Sequence, residues 1–227
     1  MSVPEPRTVH VDDEIAVISK PAGLVVHPAP SHKGPTLVDF LGELGAGGPA
    51  GRPGIVHRLD KGTSGLMVLA RTEDAHAALS AAIKRREVKR EYTALVEGAL
   101  GSRSGTIDAP VGRDRRRRTR MAVRGAAERE ATTHFEVIET LPHDTLTQAR
   151  LETGRTHQVR VHFAAIGHPV AGDPDYGERG RHGLSRQFLH ASHLSFTHPT
   201  TGESLGFDSP LPPDLVAALE RARASSS

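Results

Sequence analysis

The 227 residues are 37% hydrophobic and 25% charged, a balance that builds a folded domain and excludes global disorder. Cysteine is absent, which removes disulfides and thiolate metal sites, and no apolar run approaches the ~20 residues that a bilayer span needs. Residues 1–7 are polar and contain proline, so no secretion signal is read and the expected location is cytoplasmic. The formal charge of +2 says little as a sum, but its distribution is informative. Arg113-Asp114-Arg115-Arg116-Arg117-Arg118-Thr119-Arg120 sets six arginines against one aspartate. Inside a domain, such a run favours a phosphate-rich partner over a merely solvated loop.

In chain order, residues 9–19 read as a strand entering a turn at Lys20-Pro21-Ala22-Gly23. Leu24-Val25-Val26 reads as a short strand, closed by His27-Pro28-Ala29-Pro30. Leu37, Phe40, Leu41 and Leu44 fall at i, i+3, i+4 and i+7, one face of a helix with Thr36 as its N-cap. A Gly/Pro-rich loop, 45–54, leads to a central stretch: an apolar pair, a polar turn around Asp60, then the strand-like run Leu66-Met67-Val68-Leu69-Ala70. Thr72 caps a predicted helix over 73–86, with Ala75, Ala78, Leu79, Ala82 and Ile83 as its buried stripe. Residues 91–97 predict a strand with Tyr92, Ala94 and Val96 on one face, and 106–111 lead into the arginine run. Strands over 131–139 and 145–153 flank a turn at Leu141-Pro142-His143-Asp144. Val159, Phe163 and Ile166 predict a helical face closed by Gly167. A polar loop over 172–187, a strand over 188–197, a helix over 214–223 and a disordered serine tail complete the chain. With helices between strands and several hairpins, the expected class is α+β, one domain over 1–227 with its core at about 9–213.

Fourteen histidines are scattered without a metal-ligand spacing, so no metal site is expected. Gly62-Thr63-Ser64-Gly65 lacks the frame of a phosphate-binding loop, and Ser64 lacks the Gly-x-Ser-x-Gly setting of a nucleophile. What remains is Asp60 in a glycine-containing turn, equally readable as a solvated turn residue or as an active-site carboxylate. Tyr92 and Arg160 are the best candidate partners, because a buried arginine would keep the carboxylate ionised.

The motif His57-Arg58-Leu59-Asp60-x-x-Thr63-Ser64-Gly65-Leu66 resembles the catalytic-aspartate motif of the RluA family of pseudouridine synthases. Four further stretches carry the same resemblance: residues 20–28 (KPAGLVVHP), 92–95 (YTAL), 153–162 (TGRTHQVRVH) and 187–191 (QFLHA). Together they span about 12–213. The resemblance implies a mixed, mostly antiparallel sheet flanked by helices and RNA-binding loops. It implies Asp60 as the catalytic carboxylate, Tyr92 beneath the flipped uracil, Arg160 paired with Asp60, and Arg58 in the space the base leaves. Leu189 would line the pocket, His57 would sit beside the site, Arg115, Arg116, Arg117 and Arg118 would contact RNA from a mobile loop that closes on it, and Arg155 would be a further RNA contact. The implied partner is rRNA or tRNA, with no metal, nucleotide or other cofactor, no membrane, and a monomeric protein. Gly62 departs from relatives that carry an acidic residue there, and no room is left for the N-terminal S4 RNA-binding domain of many relatives. The rival readings are a non-catalytic RNA-binding or ribosome-assembly protein on the same fold, and a hydrolase using Asp60 with His57.

Overall fold

The computed structural model describes residues 5–28, 33–117 and 119–225. In chain order it contains strands β1 (Arg7–Val11) and β2 (Ile15–Lys20), helix α1 (Leu37–Leu41), β3 (Ser64–Ala70) and α2 (Glu73–Lys84). Then follow β4 (Lys89–Glu97), β5 (Ser104–Asp108), β6 (Val111–Arg113), β7 (Met121–Val123), β8 (Ala126–Arg129), β9 (Thr132–Thr140) and β10 (Asp144–Leu151). The chain closes with α3 (Gln158–Ala165), β11 (Leu189–Thr197), β12 (Ser204–Asp208) and α4 (Pro213–Ala224). This is an α+β fold with mostly antiparallel strand pairing. It forms two compact units, Met1–Arg90 with Ala191–Ser209, and Glu91–His190 with Pro210–Ser227.

In the first unit, the strand expected over 9–19 is a hairpin. Asp12 Oδ1 accepts the N–H groups of Glu14 and Ile15 at 2.9 and 2.8 Å and turns the chain between β1 and β2. β2 pairs antiparallel with β3 from Ile15↔Ala70 to Lys20↔Gly65. All of β3 is buried, which explains its unbroken apolar run. Ile15, Val17, Leu66, Val68, Ala75, Leu79, Leu194 and Phe196 form the core, so α2 packs on the sheet through the predicted stripe. The Thr72 hydroxyl caps α2 by accepting the Ala75 N–H at 3.2 Å. Leu24-Val25-Val26 is not a strand: Val25 makes a single parallel bridge to Thr36, although Leu24 and Val26 are fully buried. Thr36 and Asp39 form a capping box, but α1 lasts only five residues before a 3₁₀ turn at Gly42–Gly45.

The second unit holds the antiparallel order β4–β10–β9–β5 and a small sheet, β7–β6–β8. Tyr92 stands opposite Ala149. On β9, Thr133, Phe135 and Val137 are buried while Glu136 and Ile138 are exposed, and the Phe135 ring lies 5.7 Å from Phe163 of α3. That alternation is what a strand covered on one side requires. The described residues of the arginine run close β6 at Arg113 and form the tip of the β6–β7 hairpin. Asp114 caps it, Oδ1 accepting the N–H groups of Arg116 and Arg117 at 2.7 and 3.0 Å. Ile166 does not extend the buried face of α3. It is the C-cap residue and 41% exposed, because the helix ends at Ala165. Leu215, Ala218, Leu219 and Ala222 bury α4.

Candidate active site

Asp60 lies in the first unit on the turn before β3 and is half-buried. Its carbonyl accepts the Thr63 N–H at 3.0 Å, closing the turn. The next carbonyl, Lys61 O, accepts the Gly23 N–H at 2.7 Å. Lys20 is fully buried beneath both segments, its Nζ donating to Pro21 O at 2.8 Å, Leu24 O at 2.9 Å and, more weakly, Lys61 O at 3.5 Å. Charge-assisted bonds of this kind contribute roughly 1.5–3 kcal/mol each. The ammonium therefore staples the Lys20–Leu24 loop to the Asp60 turn. Gly65 starts the way out at φ +116°; a Cβ there would stand 2.2 Å from Ala191 O. Only glycine permits that approach.

His57 faces inward. Its Nε2 accepts the Val68 N–H at 3.1 Å, and its Nδ1 is buried without a hydrogen-bond partner among the described residues. Burial, helped by the Arg90 guanidinium, lowers its pKa to about 3. An imidazole with its lone pair committed to the backbone is no proton acceptor at neutral pH, which removes the observation a hydrolase with a His57 base would need. Arg58, by contrast, is exposed, and its Nη1 donates to His27 Nε2 at 3.4 Å. Burial, then Arg58 and Arg52, lowers the pKa of His27 and keeps it a neutral acceptor. Neither Lys20 nor His27 was singled out as a candidate in the sequence. Both lie in the KPAGLVVHP stretch, which was the signal available.

In the second unit, Tyr92 and Leu189 are buried in β4 and β11. Arg160 on α3 is 3% exposed and bidentate to Asp173, Nε to Oδ2 at 2.6 Å and Nη2 to Oδ1 at 2.7 Å, with Nη2 also 2.9 Å from Asp175 Oδ2. Two carboxylates of the following loop thus set the plane of its guanidinium. Gln158 supports the turn before α3. Its Oε1 accepts from Thr153 Oγ1 and the Arg155 N–H, and its Nε2 donates to Thr132 O and Thr133 Oγ1. Arg155, expected at RNA, donates through Nε to Glu130 O at 2.9 Å. Arg115, Arg116 and Arg117 are exposed at the hairpin tip. Arg118, Ala29, Pro30, Ser226 and Ser227 lie outside the described residues.

Each unit thus mounts part of the predicted set on rigid supports. The first carries Asp60, His57 and an exposed Arg58 on one clamped turn. The second carries Tyr92 on a central strand and Arg160 in an ion-pair cluster. No group of three or more His, Asp or Glu residues among those described is arranged to hold a metal ion.

A family profile described as RNA pseudouridylate synthase matches residues 14–165. A relative in Bacillus subtilis, named as the uncharacterized RNA pseudouridine synthase YlyB, is 44% identical, the match covering 98% of this chain and 78% of the relative. The ribosomal large subunit pseudouridine synthase D of Pseudomonas aeruginosa is 45% identical over 96% of this chain and 72% of its own length. In structure, human RNA pseudouridylate synthase domain containing 1 superposes with a TM-score of 0.74 at 28% identity, covering 96% of this chain and 89% of that one. With the profile spanning most of the chain, and relatives this similar along nearly all of it, the chain belongs to the RNA pseudouridylate synthase family.

Proposed function

We propose that the protein isomerises uridines of large-subunit rRNA, with Asp60 as the catalytic carboxylate. The observation that carries the assignment of Asp60 is its mounting: a carboxylate on a turn stapled by a fully buried lysine, two residues from an exposed arginine. The rRNA substrate is supported by the names of relatives, including the ribosomal large subunit pseudouridine synthases D of Pseudomonas aeruginosa and Zymomonas mobilis. The reaction breaks N1–C1′ of uridine, rotates the uracil and joins C5 to C1′; C5 then loses its proton and N1 gains one, so the product is an isomer of the substrate. In this scheme Asp60 takes a proton from C2′ as the glycosidic bond breaks and returns it when C5 attacks. Tyr92 offers the ring on which the flipped base stacks, Arg160 favours the ionised carboxylate, and Leu189 lines the base pocket. Removing a base from its stack costs a few kcal/mol, and Arg58 offsets that by filling the gap. His57 holds the turn against β3, while Arg155 and the hairpin arginines meet phosphates. In this reading the protein works as a monomer in the cytoplasm.

The test is carbodiimide mapping of pseudouridine in rRNA and tRNA from cells with and without the gene. The expected result is a large-subunit rRNA site lost in the deletion strain, restored by the wild-type gene and not by Asp60→Asn. Loss confined to tRNA would overturn the rRNA assignment, and restoration by Asp60→Asn would overturn the role of Asp60.

A further inference from the structure

The hairpin bearing the arginine run is fastened to the loop after α3 at one side chain, Tyr176. The Tyr176 hydroxyl accepts the Met121 N–H at 2.8 Å and donates to Met121 O at 3.1 Å, so one phenol holds both backbone groups of the first residue of β7. His157 Nδ1 lies 3.0 Å from the same oxygen, its ring edge-on to the phenol at 5.8 Å. His157 is the N-cap of the helix that carries Arg160, and it holds a left-handed φ of 58°, a conformation that costs a non-glycine residue energy unless its surroundings fix it. Arg160 lies over the Tyr176 ring at 5.1 Å, and Arg120, the last arginine of the run, lies over it at 5.8 Å. Asp175 is shared in the same way: Oδ2 is 2.9 Å from Arg160 Nη2, and Oδ1 is 3.7 Å from Arg120 Nε. Burial pushes the pKa of the phenol up to about 12, so it stays a neutral donor throughout the physiological range.

Met121, Val123 and Tyr176 also pack against the buried cluster of Val111, Ala131 and Val161, the last of these on α3 beside Arg160. The hairpin and the arginine helix therefore share a ring, a hydroxyl, a carboxylate and a small apolar core. Displacing the hairpin would remove the Met121 bonds from the phenol and the Arg120 charge from Asp175, and both changes fall on groups that set the Arg160 guanidinium.

We propose that Tyr176 is a positioning residue that couples the seating of the arginine hairpin to the orientation of Arg160, so that phosphate binding by Arg115, Arg116 and Arg117 raises turnover as well as affinity. The proposal rests on the role given to Arg160 above. Asp175 is the second strand of the same link.

The experiment is steady-state tritium release from large-subunit rRNA transcribed with 5-tritiated uridine. It compares the wild type, Tyr176→Phe, the triple variant Arg115→Ala/Arg116→Ala/Arg117→Ala, and their combination. Tyr176→Phe keeps the ring under Arg160 and cuts the tie to Met121. It is expected to lower kcat about fivefold or more with KM within about twofold, the pattern of an interaction felt in the transition state. The triple variant is expected to lower kcat and raise KM; added to Tyr176→Phe, it should raise KM with no further loss of kcat. Arg120→Gln takes the guanidinium off the Tyr176 ring and Asp175 but leaves the phenol's bonds to Met121 in place; it should reproduce the selective loss of kcat, which covers the case of a poorly folding Tyr176 variant. Losses of kcat that multiply in the combined variant, or a wild-type kcat in both Tyr176→Phe and Arg120→Gln, would overturn the coupling. Absence of tritium release by the wild type would instead refute the functional reading beneath it.

Discussion

Lys20 does for the Asp60 turn what a disulfide does elsewhere: it ties two loops at one buried point. Replacing it with methionine keeps most of the volume but leaves the carbonyls of Pro21 and Leu24 without their ammonium. The expected cost is about 2–6 kcal/mol, seen as a lower urea midpoint, because each of the two unsatisfied acceptors costs about 1–3 kcal/mol. An unchanged midpoint would show that the staple contributes nothing. His57 gives a pH prediction. Its pKa is about 3 in the folded protein against 6.5 as the unperturbed value. Between these values the unfolded chain binds the extra proton, so stability is full above pH 6.5 and falls as pH drops toward 3. The slope from this group is at most about 1.4 kcal/mol per pH unit. His57→Gln retains an acceptor for the Val68 N–H and removes the titration, so its urea midpoint should vary less between pH 6.5 and 4. Equal slopes would contradict the buried, neutral imidazole. At this scale Asp60 was visible as the one carboxylate in the central turn but equally readable as a solvated turn residue, and the role of Lys20 was hidden, because nothing in a Lys-Pro pair announces a fully buried ammonium.

The elements show why local pattern succeeds in some places and fails in others. The helix after Thr72 and the strands holding Tyr92 and Phe135 were readable, because a cap and a one-sided apolar period both point the same way. The β1–β2 hairpin was read as one strand because its turn depends on the Asp12 side chain rather than on Gly or Pro. The β7–β6–β8 sheet went unread because its strands are three or four residues long and one, β8, is wholly exposed. Two predictions belong here. Gly65→Ala should destabilise by about 3 kcal/mol or more, since it sets a Cβ against the Ala191 backbone at a positive φ. A variant that purifies with wild-type stability would contradict that close approach. Neutralising Arg115, Arg116 and Arg117 should weaken RNA binding and flatten its salt dependence by roughly two units of log–log slope, at about 0.7 per phosphate contact on single strands. An unchanged slope would make the run a solvated turn.

At the scale of the molecule, the fold class followed from the alternation of helices and hairpins, and the family from five motifs spread over the chain. Their long spacing is why period and propensity alone could not group the candidate residues: Asp60, Tyr92 and Arg160 come from a turn, a strand and a helix up to a hundred residues apart in sequence. Asp173 and Asp175, which hold Arg160, sat in a stretch read only as a polar loop. The proposed role of Asp60 is to perform the isomerisation. The most direct measurement is tritium release from 5-tritiated large-subunit rRNA by the purified protein, because the C5 hydrogen leaves only when C5 bonds to C1′. Asp60→Asn is expected to bind that RNA with wild-type affinity and release no tritium. Release by Asp60→Asn at the wild-type rate would contradict the claim.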